Sequence, residues 1–240
     1  MKKQYFGDKR DLFKFDLIKN VVKETGVSGF TYIPMLTPSD KTGHGKLRNN
    51  LSSPNNAGHK NRGLIEFFKR IPANRDERDV GIIKEYFEKI FIPTNVYRKG
   101  DYFDRANRNP YFKGVEKVLL QNALIFVDPD TGLEPETVKP NEKHLLYSEA
   151  EDLYANMGKH SILAIIQFRQ RDRFKTREDI DKKVARLFDC TNDICIYISD
   201  DEITFFLLSK DFETKRRLSK AVTRYKKEYD DNLDCGGIVL

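Results

Sequence analysis

The sequence predicts an α/β protein whose mainly parallel sheet is covered by helices on both faces and finished by an antiparallel hairpin. Three observations carry this expectation. In the second half of the chain, short apolar runs alternate with longer stretches of helical periodicity. Several of those runs, such as A-L-I-F-V at 123–127, are apolar throughout, as strands covered on both faces are. The stretch I-C-I-Y-I-S-D-D-E-I-T-F-F-L-L then holds two strands joined only through Asp200 and Asp201, a hairpin connection. With 240 residues, 39% of them hydrophobic and 12% aromatic, the chain can bury one good core, so we expect a single domain over 1–240 with a helical and basic-loop insertion at 38–121.

Taken in order, residues 11–24 place Leu12, Phe13, Leu17, Ile18, Val21 and Val22 at helical spacing, with Asp8 or Asp11 as N-cap and Gly26 as the stop. Residues 30–36, F-T-Y-I-P-M-L, form a strand that Pro34 limits to its exit end. The Gly, Asn, Ser and Lys of 38–63 offer almost nothing to bury and predict a mobile basic loop. Short helices follow at 64–69 and 79–91, then an aromatic and basic stretch and a helix at 115–121. The second half reads as strand 123–127, helix 145–157, strand 161–168, helix 177–188, strands 194–199 and 202–208, helix 212–229 and a last strand in 237–240.

Net charge is +6, from 43 Lys and Arg against 37 Asp and Glu. A solvated surface explains that excess as well as a nucleic-acid partner does, but segment 41–75 has Lys41, Lys46, Arg48, Lys60, Arg62, Lys69, Arg70 and Arg75 opposed only by Glu66. Three cysteines, Cys190, Cys195 and Cys235, without metal-ligand spacing predict reduced core thiols. No apolar run approaches the roughly 20 residues of a membrane span, and M-K-K-Q-Y-F-G-D lacks the apolar middle of a signal peptide. A cytoplasmic protein without membrane contact is expected.

Two motifs carry candidate chemistry. In a doubly wound sheet, ligands collect outside the carboxyl ends of the strands, where Asp128, Pro129, Asp130 and Thr131 follow the run at 123–127. The same D-P-D-T-G is also good turn chemistry, with Pro fixing φ and Gly taking positive φ. The second motif, Gly7-Asp8-x-x-Asp11-x-x-Lys14, opens the first helix, where Asp11 and Lys14 have the spacing of an exposed ion pair. His44 and His59 fall in the loop, whereas His144, Gln167, Arg169 and Arg171 follow or end rim strands.

Y-F-G-D-K-R-D-L-F-K-F resembles the G-N-x-x-D-x-x-K-H signature of the RlmJ-type ribosomal RNA adenine methyltransferases, and D-P-D-T-G-L-E resembles their D-P-P-Y-E motif. Three-Cys-motif partner proteins, with D-P-F-G, look like more distant relatives. The resemblance implies a class I methyltransferase-like (Rossmann-like) fold and S-adenosylmethionine-dependent methylation of nucleic acid, at an adenine amino group. It implies that Asp128 accepts from that amino group, with Pro129 and Asp130 completing the catalytic motif and Glu134 in its trailing acidic position. It further implies that Gly7, Asp8, Asp11 and Lys14 shape the cofactor pocket. On this reading Lys46, Arg48, Lys60, Arg62 and Arg169 track phosphates. The departures are specific: Asp130 replaces the second Pro, Thr131 replaces the stacking Tyr, and Y-I-P-M-L-T-P-S-D has no G-x-G after the first strand. Asp128, Asp130 and Glu134 could alternatively hold Mg²⁺ for a nuclease. A third alternative is a non-catalytic module that holds nucleic acid or a protein partner through the basic loop and aromatic residues.

Overall fold

The computed structural model describes residues 1–40, 50–136, 139–169, 173–229 and 233–238, without the side chains of 173–176. Helix α1 (Lys9–Thr25) is capped by Asp8, whose carboxylate accepts from the Arg10 and Asp11 amides at 2.8 and 3.1 Å. Gly26 ends it in the left-handed region at φ 75°, donating its N–H to the Val22 carbonyl. Then follow β1 (Gly29–Pro34), α2 (Arg62–Lys69), α3 (Ile83–Lys89), β2 (Thr94–Val96), α4 (Arg108–Lys113) and β3 (Ala123–Asp128). The second half contains β4 (Gly132–Leu133), β5 (His144–Leu145), α5 (Tyr147–Asn156), β6 (Ile162–Phe168), α6 (Arg173–Thr191), β7 (Ile196–Ser199), β8 (Ile203–Leu208), α7 (Phe212–Glu228) and β9 (Asp234–Gly236).

Seven strands form one sheet in the order β2-β1-β3-β6-β8-β7-β9. Pairing is parallel from β2 through β6 and antiparallel from β6 through β9. The expected Rossmann-like, mostly parallel sheet ending in an antiparallel hairpin is therefore present. From β1 the chain runs outward to β2 and then returns past β1 to β3, so strand order reverses between β1 and β3. Their carboxyl ends, Pro34 and Asp128, are register partners and flank the topological switch point.

Alternation along β3 explains its continuous apolar run. Leu124 and Phe126 pack with α1, α2, α3 and α7 on one face, while Ile125 and Val127 pack with α4, α5 and α6 on the other. Phe15 of α1 sits at the centre of the first layer, edge-on to the rings of Phe6, Tyr32, Phe68, Phe87 and Phe126 at 5.6–6.4 Å. Leu64, Phe67 and Phe68 of α2 and Ile83 and Phe87 of α3 belong to the same core as α1.

Several expectations need correction. The short edge strand β2 falls between the helix predicted at 79–91 and the aromatic and basic stretch that starts at Tyr97, where no element was predicted, because three residues give no usable period. The helix predicted at 115–121 is a 3-10 turn at Lys117–Leu120, preceded by α4. The helix predicted at 79–91 begins as a 3-10 turn at Val80–Ile82, and the last strand among the described residues lies at Asp234–Gly236, before the predicted 237–240, of which 239–240 fall outside the described residues. The 38–63 loop contributes to the core after all, through buried Leu51 and Ala57. Among the described residues, no helix is long and apolar enough to cross a membrane.

Candidate functional site

A cavity of 330 Å³ opens at the carboxyl ends of the strands, between the start of α1 and the ends of β3 and β6. Both motifs singled out in the sequence reach it. Lys14 Nζ lies 3.1 and 3.2 Å from the two oxygens of Asp128, 114 residues away in the chain, and 3.1 Å from Asp11 Oδ1. The exposed Asp11–Lys14 pair expected from i,i+3 spacing is instead buried, because α1 turns that face towards the strand ends. Tyr32, on β1, donates its hydroxyl to Asp128 Oδ2 at 2.8 Å.

Burial sets the electrostatics of this cluster. Loss of solvent pushes the Asp11 carboxyl up to about 7, against the pull of Lys14, and the neighbouring charges of Asp8 and Asp128 raise it further. For Lys14, burial acts to lower the pKa, but the carboxylates of Asp128, Asp11 and Asp8 outweigh it and hold the ammonium charged. Burial and the adjacent Asp128 charge raise the Tyr32 phenol, which therefore stays a neutral donor. Gly7 takes φ 87°, which a side chain would strain, and its N–H donates to Asp11 Oδ2 at 2.8 Å. That turn aims the first residues at the cavity.

Asp128 forms part of the cavity wall yet is fully buried, and both of its oxygens already accept hydrogen bonds. Its carbonyl accepts from the Met35 amide at 3.2 Å, which continues the β1/β3 pairing past the strand ends. Pro129 is buried behind it. Asp130 is half-buried and faces Lys2 Nζ at 3.9 Å and the Met1 nitrogen at 3.8 Å. Thr131, which has no ring to stack on a base, donates its amide and hydroxyl to the Lys143 carbonyl, both at 3.0 Å. Gly132 has φ 127°, and a Cβ there would collide with the Gln167 amide that clamps Leu133 N and Thr131 O. D-P-D-T-G is thus a turn and a cavity rim at once.

The structure does not bring the alternative metal set together. Glu134 turns away and accepts from Tyr147 N at 2.8 Å, capping the start of α5. Among the described residues, no group of three His, Cys, Asp or Glu side chains is arranged to hold a metal ion.

Of the expected phosphate contacts, Lys46 and Arg48 lie outside the described residues, as do His44 and Arg171. Lys60 donates to the Glu228 carbonyl at 2.6 Å and covers the Tyr229 ring, and Arg62 is exposed at the start of α2. Arg169 is tied to the β7–β8 turn, its side chain to the Asp200 carbonyl and its amide to the Glu202 carbonyl at 2.8 Å. His59 is held by Asn56 and Tyr229, and burial lowers the half-buried His144.

Sequence reasoning missed Lys2, Tyr5, Arg10, Lys143 and Phe168 in the cavity wall. Arg10 and Lys14, one helical turn apart, both lie 5.6 Å from the centre of the Phe168 ring. That spacing was the available signal. Arg10 also borders a second, polar cavity of 470 Å³, lined by Lys9, Asn50, Ser53, Asn55 and Glu202. No family model, curated protein or solved structure matches the chain.

Proposed function

We propose that the protein binds S-adenosylmethionine in the 330 Å³ cavity and directs methyl transfer to a nucleic-acid base. One observation carries this reading: the G-D-x-x-D-x-x-K signature and the D-P strand end, distant in sequence, meet at the carboxyl-end crevice with Lys14 on Asp128. The volume is within the range of small-ligand sites.

The donor set fits a zwitterionic nucleoside. Asp8 and Asp130 offer carboxylates to an amino group, Lys2, Arg10 and Lys143 offer cations to a carboxylate, and Phe168 and Tyr5 offer rings to a base. S-adenosylmethionine supplies the electrophilic methyl when bound. Asp128 plays a different part from the one the family pattern implies: with Lys14 and Tyr32 on its oxygens it fixes α1 against β3 and so shapes the wall. Arg10, between Asp8 and Glu202, separates this cavity from the polar second one, which has room for the acceptor.

The saturation of Asp128 favours a second reading, in which the cavity binds an adenosyl compound without chemistry. Incubation with methyl-labelled S-adenosylmethionine and mixed-sequence RNA or DNA separates the two. Label incorporated into nucleic acid, and lost in Arg10→Ala, supports transfer. Binding of S-adenosylhomocysteine with no label transferred supports the second reading, and no binding of either compound defeats both.

A further inference from the structure

Helix α7 carries seven Lys and Arg against two Glu, with no acid between Glu213 and Glu228. Leu218, Ala221, Val222 and Tyr225 turn to the sheet. That leaves Arg217, Lys220, Thr223, Arg224 and Lys227 exposed along one face at spacings of three and four. Of the acids nearby, Glu213 pairs with Arg216 and Arg217, Glu24 of α1 pairs with Arg224, and the exposed Glu228 stands at the C-terminal end of the stripe. Lys23, Lys220 and Lys227 are exposed with no ion pair among the described residues.

A merely solvated helix would mix both signs along such a face. Here Arg216, Lys220 and Arg224 follow one another at i,i+4, and Arg217–Lys220 and Arg224–Lys227 stand at i,i+3, so like charges sit side by side and oppose the helix they decorate. An anionic partner relieves that repulsion. From Arg217 to Lys227 the stripe is about 15 Å long at 1.5 Å per residue, a span matching several phosphates at about 3.4 Å per strand. The apolar face of α7 is committed to the core, so the helix has no free apolar face to lay into a bilayer.

We propose that the exposed stripe of α7, with Lys23 of α1, binds the phosphate backbone of a nucleic acid. This rests on the reading of a nucleic-acid substrate and moves the main phosphate contact from the 41–75 segment to α7. Lys60, donating to the last carbonyl of α7, continues the track beside the 50–58 loop that borders the second cavity.

The test is fluorescence anisotropy of a labelled mixed-sequence 20-mer, as single-stranded RNA and as duplex DNA, over a salt series. The variants are Lys220→Glu/Lys227→Glu and, as the competing route, Lys60→Glu/Arg62→Glu. The α7 variant should bind at least tenfold more weakly at low salt, with a log–log salt slope shallower by about two contacts. Its thermal stability should stay level or rise, because Lys220→Glu places a carboxylate one helical turn from both Arg216 and Arg224. An α7 variant that binds like wild type, a loss confined to Lys60→Glu/Arg62→Glu, or wild-type protein that binds anionic phosphatidylserine vesicles but neither 20-mer overturns the proposal. S-adenosylhomocysteine titration of the same proteins keeps the two readings apart. Stripe-dependent nucleic-acid binding without adenosyl binding would leave this proposal standing and sink the cofactor site, and the reverse pattern would do the opposite.

Discussion

Asp16 and Asp128 are both almost fully buried carboxylates that α1 helps to hold, yet they sit in different kinds of place. Asp16 accepts from the hydroxyls of Tyr225 and Tyr229 at 2.9 and 3.0 Å, from Asn61 at 2.8 Å and from Lys19 at 2.9 Å. It ties α1, α7 and the start of α2 together, mostly through neutral donors. Asp128 is held by the buried cation of Lys14 and by Tyr32, and it borders a cavity walled by further cations and aromatic rings. The difference teaches that burial and a full set of hydrogen bonds do not by themselves mark a site. The adjoining space does.

The largest effect should come from breaking the Asp128 cluster. Lys14→Met leaves a buried carboxylate without its cation and is expected to cost about 3–5 kcal/mol, whereas Lys14→Met with Asp128→Leu should recover much of that loss. Urea denaturation of the single and double variants measures both. Next comes the Asp16 hub: Asp16→Ala strands two phenols and an amide, costing roughly 2–3 kcal/mol by the same measurement, and it should leave adenosyl binding intact. Equal loss of binding from Asp16→Ala and from Lys14→Met would erase the distinction between the two regions.

The pH dependence sharpens the contrast further. Because the folded pKa of Asp11 is raised to about 7 from an ordinary value of 3.8, the native state holds its proton where the unfolded chain has lost it. The Asp11 contribution to stability therefore falls as pH rises through that window. Wild type should lose more stability between about pH 5.5 and 8 than Asp11→Asn does; parallel pH profiles would show that Asp11 is ionised throughout. The smallest effect belongs to Glu134→Ala, which removes the cap of α5 for about 1 kcal/mol and should leave thermal stability equally indifferent to millimolar Mg²⁺.

Legibility in the sequence followed the physical strength of each signal. The apolar run at 123–127 and the Asp200–Asp201 connection announced the sheet because two-sided burial and a short turn leave clear patterns. Asp8 was readable as a cap for the same reason. Strand β2 was not readable, since its three residues are held by register with β1 rather than by their own period. At the site, Asp11, Lys14 and Asp128 were legible as motifs, but their meeting was not, because i,i+3 spacing says nothing about which face of α1 turns inward. Phe168 stayed hidden for a related reason: a Phe ending an apolar strand reads as core until the cations of α1 are found over its ring. The basic stripe of α7 was obscured because its cations alternate with the apolar residues of an ordinary amphipathic helix.

The central claim, that the crevice between α1 and the end of β3 is an adenosyl site, is tested most directly by calorimetric titration with S-adenosylhomocysteine. Wild type should bind saturably at one site, and Phe168→Ala, with its fold verified by circular dichroism, should bind at least tenfold more weakly. No heat with either S-adenosylhomocysteine or S-adenosylmethionine, or equal affinity in Phe168→Ala, would contradict it.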